Sequence, residues 1–497
     1  MVFLQLLALV SFLLLLPLLS ILFLAKTTTP KKQSTSHPTA TILPRSYPLI
    51  GSLPAIIANI SRRLQWTSDI LQISPSATFV LHRPFNNYQV LTANPAVVQH
   101  ILKTHFHNYG KGDVVNRTLK DFLGHGIFNV DGESWKFQRQ VASHEFNTKS
   151  LRKFVETVVD TELYDRLIPL LSSAAKSGTI LDFQDILQRF AFDNICKIAF
   201  GLDPAYLLPS LPQTKFAQAF DDSVNISSRR FSAIIPLFWK IKKLLNVGSE
   251  KRLRIAVSEV QEFARNIIRE KKQELEQKAS LDSIDLLSSF MLAGRDTTSS
   301  ALTWYFWLLS KNSHVEAAVL EEIEEKSEAS VYDEVKDMVY THASLCESMR
   351  FYPPVAADSK EAFADDILPD GTMVKKGTKV TYHIYAMGRS ETLWGSDWAE
   401  FKPERWLEKE EGEKHWKFAG RDTYTYPVFQ AGPRICLGKD MAFLQMKRVV
   451  AGVVRRFKVV PVLEEGFEPE LLPLLTSKMK GGLPVRIVER GLGGVEL

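Results

Sequence analysis

Residues 429–438, FQAGPRICLG, constrain the fold of this chain more than any other stretch. They contain Cys436, which lies between Gly432 and Gly438 and follows Arg434 by two positions. Glycines let the backbone turn tightly, and such a turn can direct N–H groups at a sulfur that binds a metal. A free cysteine is more often a small buried apolar residue, and this segment by itself favours that interpretation.

Cysteine content and charge exclude two classes of protein. The 497 residues include only three cysteines, Cys196, Cys346 and Cys436, which excludes a disulfide framework and fits a reducing compartment. The formal net charge is +5, and lysines and glutamates are mixed along the chain without a basic stripe. We therefore expect no nucleic-acid partner.

The N-terminal residues predict a membrane anchor. Residues 2–25, VFLQLLALVSFLLLLPLLSILFLA, carry no charge, and a helix of this length spans ~36 Å, enough for a bilayer core of about 30 Å. The run is too long for a cleaved signal peptide and lacks a basic segment before it. We predict a transmembrane anchor over residues 1–26, and Lys26, Lys31 and Lys32 after it indicate a cytosolic remainder.

The rest of the chain is predicted to be one large domain after a linker. Residues 27–43 are mostly polar, contain prolines and have little to pack, so they are interpreted as the linker. No comparable linker or repeat follows, so residues 44–497 are interpreted as one unit. Short β-like pieces lie early and helical periodicities dominate the middle, so the predicted fold is mainly α with a smaller β portion.

An apolar and then basic segment, residues 231–243, FSAIIPLFWKIKK, permits two interpretations. It is suited to dip into the membrane surface beside the anchor, because basic residues follow bulky apolar ones. It is equally suited to pack in the core between helices. The sequence does not separate these alternatives.

Two pairs of residues have helical spacing. Glu347 and Arg350 are three apart and so share a helix face, with Arg405 as a third member if the fold brings it near. Such a pair also arises by chance in a long chain. Trp135 and Arg139 are four apart and can hold a carboxylate between an indole N–H and a guanidinium. The alternative is a surface arginine packed on a tryptophan.

An apolar helix is interrupted in LAGRDTTSS, residues 292–300. Gly294 lowers the helix propensity there, and Asp296 and Thr297 place an acid next to an alcohol. A threonine within a helix often only bonds the preceding turn. This segment is therefore a weak indication of catalysis when it is taken alone.

The order of these motifs along the chain is far more specific than any one of them. The order along the chain is anchor, proline-rich hinge, W-x-x-x-R, A-G-x-D-T-T, E-x-x-R, P-E-R and F-x-x-G-x-R-x-C-x-G. With these motifs in this order, the chain resembles a microsomal cytochrome P-450 over nearly its whole length. The resemblance implies the cytochrome P-450 fold and haem b, with the Cys436 thiolate as axial ligand of the iron. It also implies that haem lies between the helix carrying Thr297 and the Cys436 loop.

The resemblance also assigns a role to each motif. Asp296 and Thr297 are expected to deliver protons to the catalytic centre. Glu347, Arg350 and Arg405 are expected to form a buried structural ion-pair network. The residues expected to bind the cofactor are Trp135, Arg139, Arg434, Phe429, Gly432 and Gly438.

The finer resemblance is to plant fatty-acid ω-hydroxylases, through stretches such as SYPLIGS and WKFQRQVASHEFNTKS. It implies hydroxylation of a fatty acid at or near its terminal carbon, with O₂ and electrons from NADPH-cytochrome reductase, in the endoplasmic reticulum membrane. Relatives that oxidise jasmonoyl-amino acid conjugates supply an alternative substrate. Two interpretations are open for Lys136, Arg139, Lys439, Lys447 and Arg448: a basic docking face for an acidic reductase, or ordinary solvated helix charges.

One region departs from the family. Residues 281–298, LDSIDLLSSFMLAGRDTT, join directly two segments that the family separates, a loss of ~15–20 residues or ~22–30 Å of helix. That part usually lines the substrate pocket. A non-catalytic remnant that still binds haem is therefore a second expectation for this chain.

Overall fold

The computed structural model describes residues 43–85, 87–143, 148–211, 215–274, 289–409, 415–464 and 466–491. The predicted anchor and nearly all of the predicted linker lie outside these ranges. Within them, no helix combines the length and apolar character that a membrane crossing needs.

Helices account for most of the described chain. They are α1 Leu53–Ala58, α2 Arg63–Ile73, α3 Pro95–Gln99, α4 Gly112–Leu123, α5 Gly132–Ser143, α6 Thr148–Lys153, α7 Asp160–Glu162, α8 Ile168–Ser177, α9 Phe183–Phe200, α10 Lys215–Ser232, α11 Leu237–Leu245, α12 Gly248–Glu274, α13 Thr297–Lys311, α14 Ser313–Glu325, α15 Val331–Lys336, α16 Val339–Phe351, α17 Ile384–Met387, α18 Glu391–Trp394 and α19 Lys439–Arg456.

The strands are short and form small sheets. They are β1 Thr78–Arg83, β2 Asn87–Thr92, β3 Tyr109–Gly110, β4 Leu181–Asp182, β5 Asp358–Ala362, β6 Asp366–Ile367, β7 Met373–Val374, β8 Lys379–Tyr382, β9 Leu407–Glu408, β10 Lys417–Phe418, β11 Phe457–Pro461, β12 Leu471–Leu472, β13 Lys478–Met479 and β14 Pro484–Glu489. The largest sheet has the order β1-β2-β8-β5-β3, in which only β2 and β8 run parallel. The predicted fold class, mainly α with a smaller β portion, is confirmed.

Local sequence explains where the helices begin and end. Asp182 accepts hydrogen bonds from the N–H groups of Gln184 and Asp185 and so caps α9, while Gly201 ends that helix at a φ of 67°. Helix α13 carries apolar residues on all sides and is therefore buried almost all round. Its buried residues include Trp304, Tyr305, Phe306 and Trp307. It packs against α9 and α16 in the main hydrophobic core.

The apolar and basic segment 231–243 does not pack as a core helix. Its residues Leu237–Leu245 form α11, of which no residue is buried. Leu237 is 59% exposed, Phe238 65% and Leu244 85%. The core interpretation is wrong for this helix, which lies on the surface with its large apolar side chains in contact with solvent. Before it, Phe231 and Ile234 are partly buried and pack against hydrophobic clusters.

The region that departs from the family lies only partly within the described residues. Residues 275–288 fall outside them, and the chain resumes at Ser289 in a helix that leads to Thr297. The expectation of a shortened pocket wall therefore concerns a stretch that the structure does not describe.

Candidate functional site

A single cavity of about 490 Å³ collects most of the motifs. Its walls come from α4, α5, the helix around Thr297, the start of β8 and the Cys436 loop. The lining is mostly apolar, and it also includes several charged side chains. A cavity of this size and character suits a bound cofactor or a small molecule.

The Cys436 loop is fixed by tight backbone contacts. Gly432 has a φ of 64°, and a Cβ atom at this position would lie 2.0 Å from the carbonyl oxygen of Leu102. Only glycine fits there. The Cys436 N–H donates to the Phe429 carbonyl at 2.8 Å, and α19 begins three residues later, at Lys439. The loop is therefore locked against the fold on both sides of the sulfur.

The sulfur of Cys436 faces the cavity. Cys196 and Cys346 are buried among packed side chains, whereas the Cys436 side chain lies inside the fold yet remains accessible through the cavity. Burial raises the pKa of the Cys436 thiol, while the Gly438 N–H and Arg139 act in the opposite direction. A metal at this position would favour the thiolate.

Trp135, Arg139 and Arg434 line the same side of the cavity. The guanidinium carbon of Arg139 lies 5.9 Å from the Trp135 ring centroid, and that of Arg434 lies 4.4 Å from it. Arg434 donates to the Val130 carbonyl at 2.9 Å and to Asp131 at 2.6 Å. Arg139 has no acceptor among the described residues, and burial lowers its pKa. One of the two arginines is thus paired, and the other is free to meet an anion.

These groups fit haem. The site offers a cysteine sulfur to the iron, an apolar cavity to the macrocycle, and the guanidinium of Arg139 without an acceptor to a propionate. Phe429 supports the loop by packing its ring 5.1 Å from that of Phe443, and Gly438 directs its N–H at the sulfur before α19 begins. Arg434 retains N–H donors beyond those that it gives to Asp131 and Val130.

The helix that passes over the cavity is distorted where the acid and alcohol lie. Residues Leu292–Asp296 form a π-helical turn before α13 begins at Thr297. Such turns are rare and often occur at functional sites. Gly294 lets this turn approach α9, because a Cβ atom there would lie 2.7 Å from the Ile195 side chain. Thr297 lines the cavity and donates to the Ala293 carbonyl at 2.5 Å.

Asp296 points away from the lining. Its carboxylate is buried, accepts from Arg295 at 3.1 Å and from Thr476 at 3.3 Å, and Arg295 also reaches Asp221. Thr476 itself lines the cavity. The acid of the expected pair therefore connects to the cavity through a hydroxyl group, whereas Thr297 lies at its surface.

Glu347, Arg350 and Arg405 are brought together in one buried network. Both carboxylate oxygens of Glu347 accept from Arg350 at 2.8 Å, and one of them accepts from Arg405 at 3.2 Å. The Trp406 indole N–H and the Lys402 N–H complete the set at 2.9 and 3.1 Å. Glu347 thus has a donor for each of its acceptor positions.

Sequence reasoning missed a charged cluster on another wall. Lys111 and Lys360 both approach Asp358, at 3.3 and 3.2 Å, and all three line the cavity. Burial lowers the pKa of Lys360 to about 7 against the attraction of Asp358. The available signal was the sequence YGKG, in which two glycines flank Lys111. Close packing requires glycine at position 112, because a Cβ atom there would lie 2.3 Å from the Glu361 side chain.

The expected basic docking face is wrong for two of its members. Lys447 is buried and donates to the Lys336 carbonyl at 3.0 Å. Arg448 is buried between Asp160, at 2.8 Å from its Nε, and Glu334. Both side chains make their contacts in the interior because α19 packs within the core. Arg139, a third member, faces the cavity. Lys136 is exposed.

Comparisons with known proteins agree with this geometry. The cytochrome P450 family model matches residues 43–483. The chain is 62% identical to cytochrome P450 94A2 of Vicia sativa over 491 aligned residues, covering 94% of this chain and 96% of that protein. It is 48% identical to cytochrome P450 94B1 of Arabidopsis thaliana, with 94% of each chain covered. The alignment with the first relative is 491 positions long, which is more than the 94% of this chain that it covers. Part of that relative therefore has no counterpart in this chain.

Proposed function

Because the chain belongs to the cytochrome P450 family, whose members bind haem through a cysteine thiolate, we propose that it is a monooxygenase that hydroxylates a fatty acid at or near its terminal carbon. The observation that carries this proposal is one cavity that exposes the Cys436 sulfur and the Thr297 helix between apolar walls. The apolar walls suit an alkyl chain, and the sulfur marks where the oxidised carbon must arrive.

The residues of this chain position and protect the reaction, while bound haem supplies the oxygen chemistry. Cys436 would hold the iron, and Trp135, Arg139 and Arg434 would hold the propionates. Val115, Leu119 and other apolar residues exclude water from the alkyl chain. Thr297 holds a hydroxyl at the cavity surface, and Asp296 behind it can pass a proton through Thr476.

We propose a membrane location from two features. Residues 1–26 would anchor the chain in the endoplasmic reticulum membrane as a single pass, residues 27–43 would link it, and residues 44–497 would form the cytosolic monooxygenase domain. The exposed apolar side chains of α11, which alternate with Lys240, Lys242 and Lys243, would contact membrane lipid. Electrons would come from NADPH-cytochrome reductase.

The test uses microsomes that contain the full chain, the reductase and NADPH. C12 to C18 fatty acids and a jasmonoyl-amino acid conjugate are supplied, and mass spectrometry locates the added hydroxyl. We expect a hydroxylated fatty acid, with affinity rising along the series by ~0.8 kcal/mol per CH₂ until the cavity is full. Preference for the conjugate selects the alternative substrate, and a thiolate carbon-monoxide spectrum without turnover identifies a remnant.

The role of Thr297 has its own test. Thr297→Ala should keep the haem spectrum and substrate binding but release more peroxide per NADPH, because the hydroxyl organises protons and does not hold the cofactor. Thr298→Ala on the next position of the same helix is the control. Full coupling of NADPH to product in Thr297→Ala would remove this residue from the mechanism.

A further inference from the structure

Three cations meet at one end of the strands of the largest sheet. Arg63 begins α2, Arg83 ends β1 and Lys379 begins β8. The parallel pairing of β2 with β8 sets Gln89 beside Lys379, and Arg83 donates to the Gln89 side-chain oxygen at 3.2 Å. Arg63 donates to the Ser232 carbonyl at 3.5 Å. These neutral oxygens are the acceptors of the two arginines among the described residues.

This cation cluster, Arg63, Arg83 and Lys379, adjoins the cavity that contains Cys436, and Lys379 is the member that lines its wall. Lys379 lines that cavity together with Phe231 and Ser232, from the end of α10. The Lys379 ammonium lies 5.7 Å from the Phe231 ring centroid, and Arg63 reaches the backbone of Ser232. The cluster therefore lies where α10 and β8 meet at the cavity wall.

The cluster differs from the other cations of this cavity. Arg434 is paired with Asp131, and Lys111 and Lys360 share Asp358. By contrast, no carboxylate within the described residues forms an ion pair with Arg63, Arg83 or Lys379. The remaining cavity cation is Arg139, for which a haem propionate is the proposed partner.

The charges of the cluster repel one another. Burial together with Arg83 and Arg63 lowers the pKa of Lys379 to about 8, against a weaker attraction from Asp358. Burial and Arg83 lower the pKa of Arg63 to about 10. Partly desolvated cations without counter-charges disfavour folding, so their presence beside a cavity indicates that an anion completes the site.

We propose that Arg63, Arg83 and Lys379 bind the carboxylate of the substrate, so that its alkyl chain extends along the apolar cavity and its far end reaches the Cys436 side. This assignment rests on the proposed function for the identity of the substrate. A fixed carboxylate leaves the opposite end of the chain as the part that can approach the iron. Oxidation at or near the terminal carbon then follows from where the molecule is held.

The experiment compares an acid with its ester. Lauric acid and methyl laurate are titrated into the haem-loaded full chain in neutral detergent, and binding is followed by the change in haem absorbance. We expect the acid to bind roughly tenfold or more tightly than the ester, because a hydrogen bond between charged groups contributes about 1.5–3 kcal/mol. The ester presents the same chain without the charge.

Variants then assign the preference to the cluster. Lys379→Met, Arg63→Gln and Arg83→Gln should each weaken acid binding several-fold, raise KM and leave kcat nearly unchanged, while ester binding stays constant. The triple variant should bind acid and ester equally and spread hydroxylation over internal carbons. Arg62→Gln is the matched control, because Arg62 neighbours Arg63 but is paired with Asp69 at 2.5 Å on the surface.

The outcomes separate this inference from the proposed function. A triple variant that still prefers the acid overturns the cluster assignment, even if fatty acids are the substrate. If only the jasmonoyl-amino acid conjugate is oxidised, the proposed function fails, and the conjugate and its methyl ester repeat the same titration. Loss of binding to anionic vesicles without any change in acid affinity would show a lipid-headgroup site and overturn the proposal.

Discussion

Buried charged groups are fully paired in one region of this molecule and only partly paired in another. Around Glu347, every charge has a partner, since the carboxylate receives Arg350, Arg405, the Trp406 indole and a backbone N–H. Around the cavity, Lys379 and Arg139 lie without an acceptor in the part of the chain that the structure describes. Full pairing is what a structural network needs, whereas a missing partner indicates a position that a ligand completes.

The largest expected effect compares two cysteines, one in each region. Cys436→Ser should abolish the haem-thiolate carbon-monoxide spectrum, because the only thiol that faces the cavity is lost. Cys346→Ser, next to Glu347, should keep that spectrum, since Cys346 is buried in packed core. A lost signal in Cys346→Ser, or a retained one in Cys436→Ser, would break the comparison.

The second effect removes one partner from the paired region. Glu347→Gln should lower the free energy of unfolding by about 3–5 kcal/mol, because Arg350 then keeps its buried charge without a counter-charge and Arg405 keeps only Asp397. Urea denaturation of the haem-loaded chain measures this. Asp397→Asn, which touches the same Arg405 nearer the surface, is the control and should have a smaller effect. Equal midpoints for Glu347→Gln and the unchanged chain would show that the network is not structural.

The third effect should have the opposite sign. Lys379→Met removes a cation without a counter-charge, so in the absence of substrate we expect it to raise the free energy of unfolding by roughly 1 kcal/mol. The same urea denaturation provides the measurement, and Lys375→Met, at an exposed residue paired with Asp365, is the control. Destabilisation by Lys379→Met would mean that Lys379 is a structural group like those around Glu347.

The fourth effect is a dependence on pH. The pKa of Lys379 is about 8 in the folded chain, below its usual 10.5, with Arg83, Arg63 and Asp358 as the charges that face it. Between these values the unfolded chain binds more protons, so this lysine makes stability rise with pH from 8 to 10. The difference in unfolding free energy between the unchanged chain and Lys379→Met should shrink over this range. A constant difference would contradict the assigned pKa.

Sequence reasoning anticipated what spacing or motif order encodes. The three-residue spacing of Glu347 and Arg350 predicted a shared helix face, and the order of the motifs indicated the family that the comparisons show. Arg405 was different, because spacing says nothing about a contact 58 residues away. Its place in the network followed from resemblance alone.

Sequence reasoning could not anticipate groups whose environment is set by tertiary packing. Arg63, Arg83 and Lys379 belong to no motif, and only the pairing of β2 with β8 and the position of α10 bring them together. Lys447 and Arg448 were expected at the surface because helix charges are usually solvated. Their partners, the Lys336 carbonyl and Asp160, come from distant parts of the chain.

The π-helical turn Leu292–Asp296 has a consequence for how this chain tolerates changes in length. Each residue inserted into or deleted from an α-helix rotates everything beyond it by about 100°. A π-helical turn contains one residue more than an α-helical turn. Gaining or losing that residue within the turn compensates for the rotation that one insertion or deletion causes. Insertions and deletions before Leu292 can therefore leave Thr297 facing the cavity. Beyond Thr297 no such turn exists in α13, and one added residue would rotate Trp304 and Tyr305 out of the core.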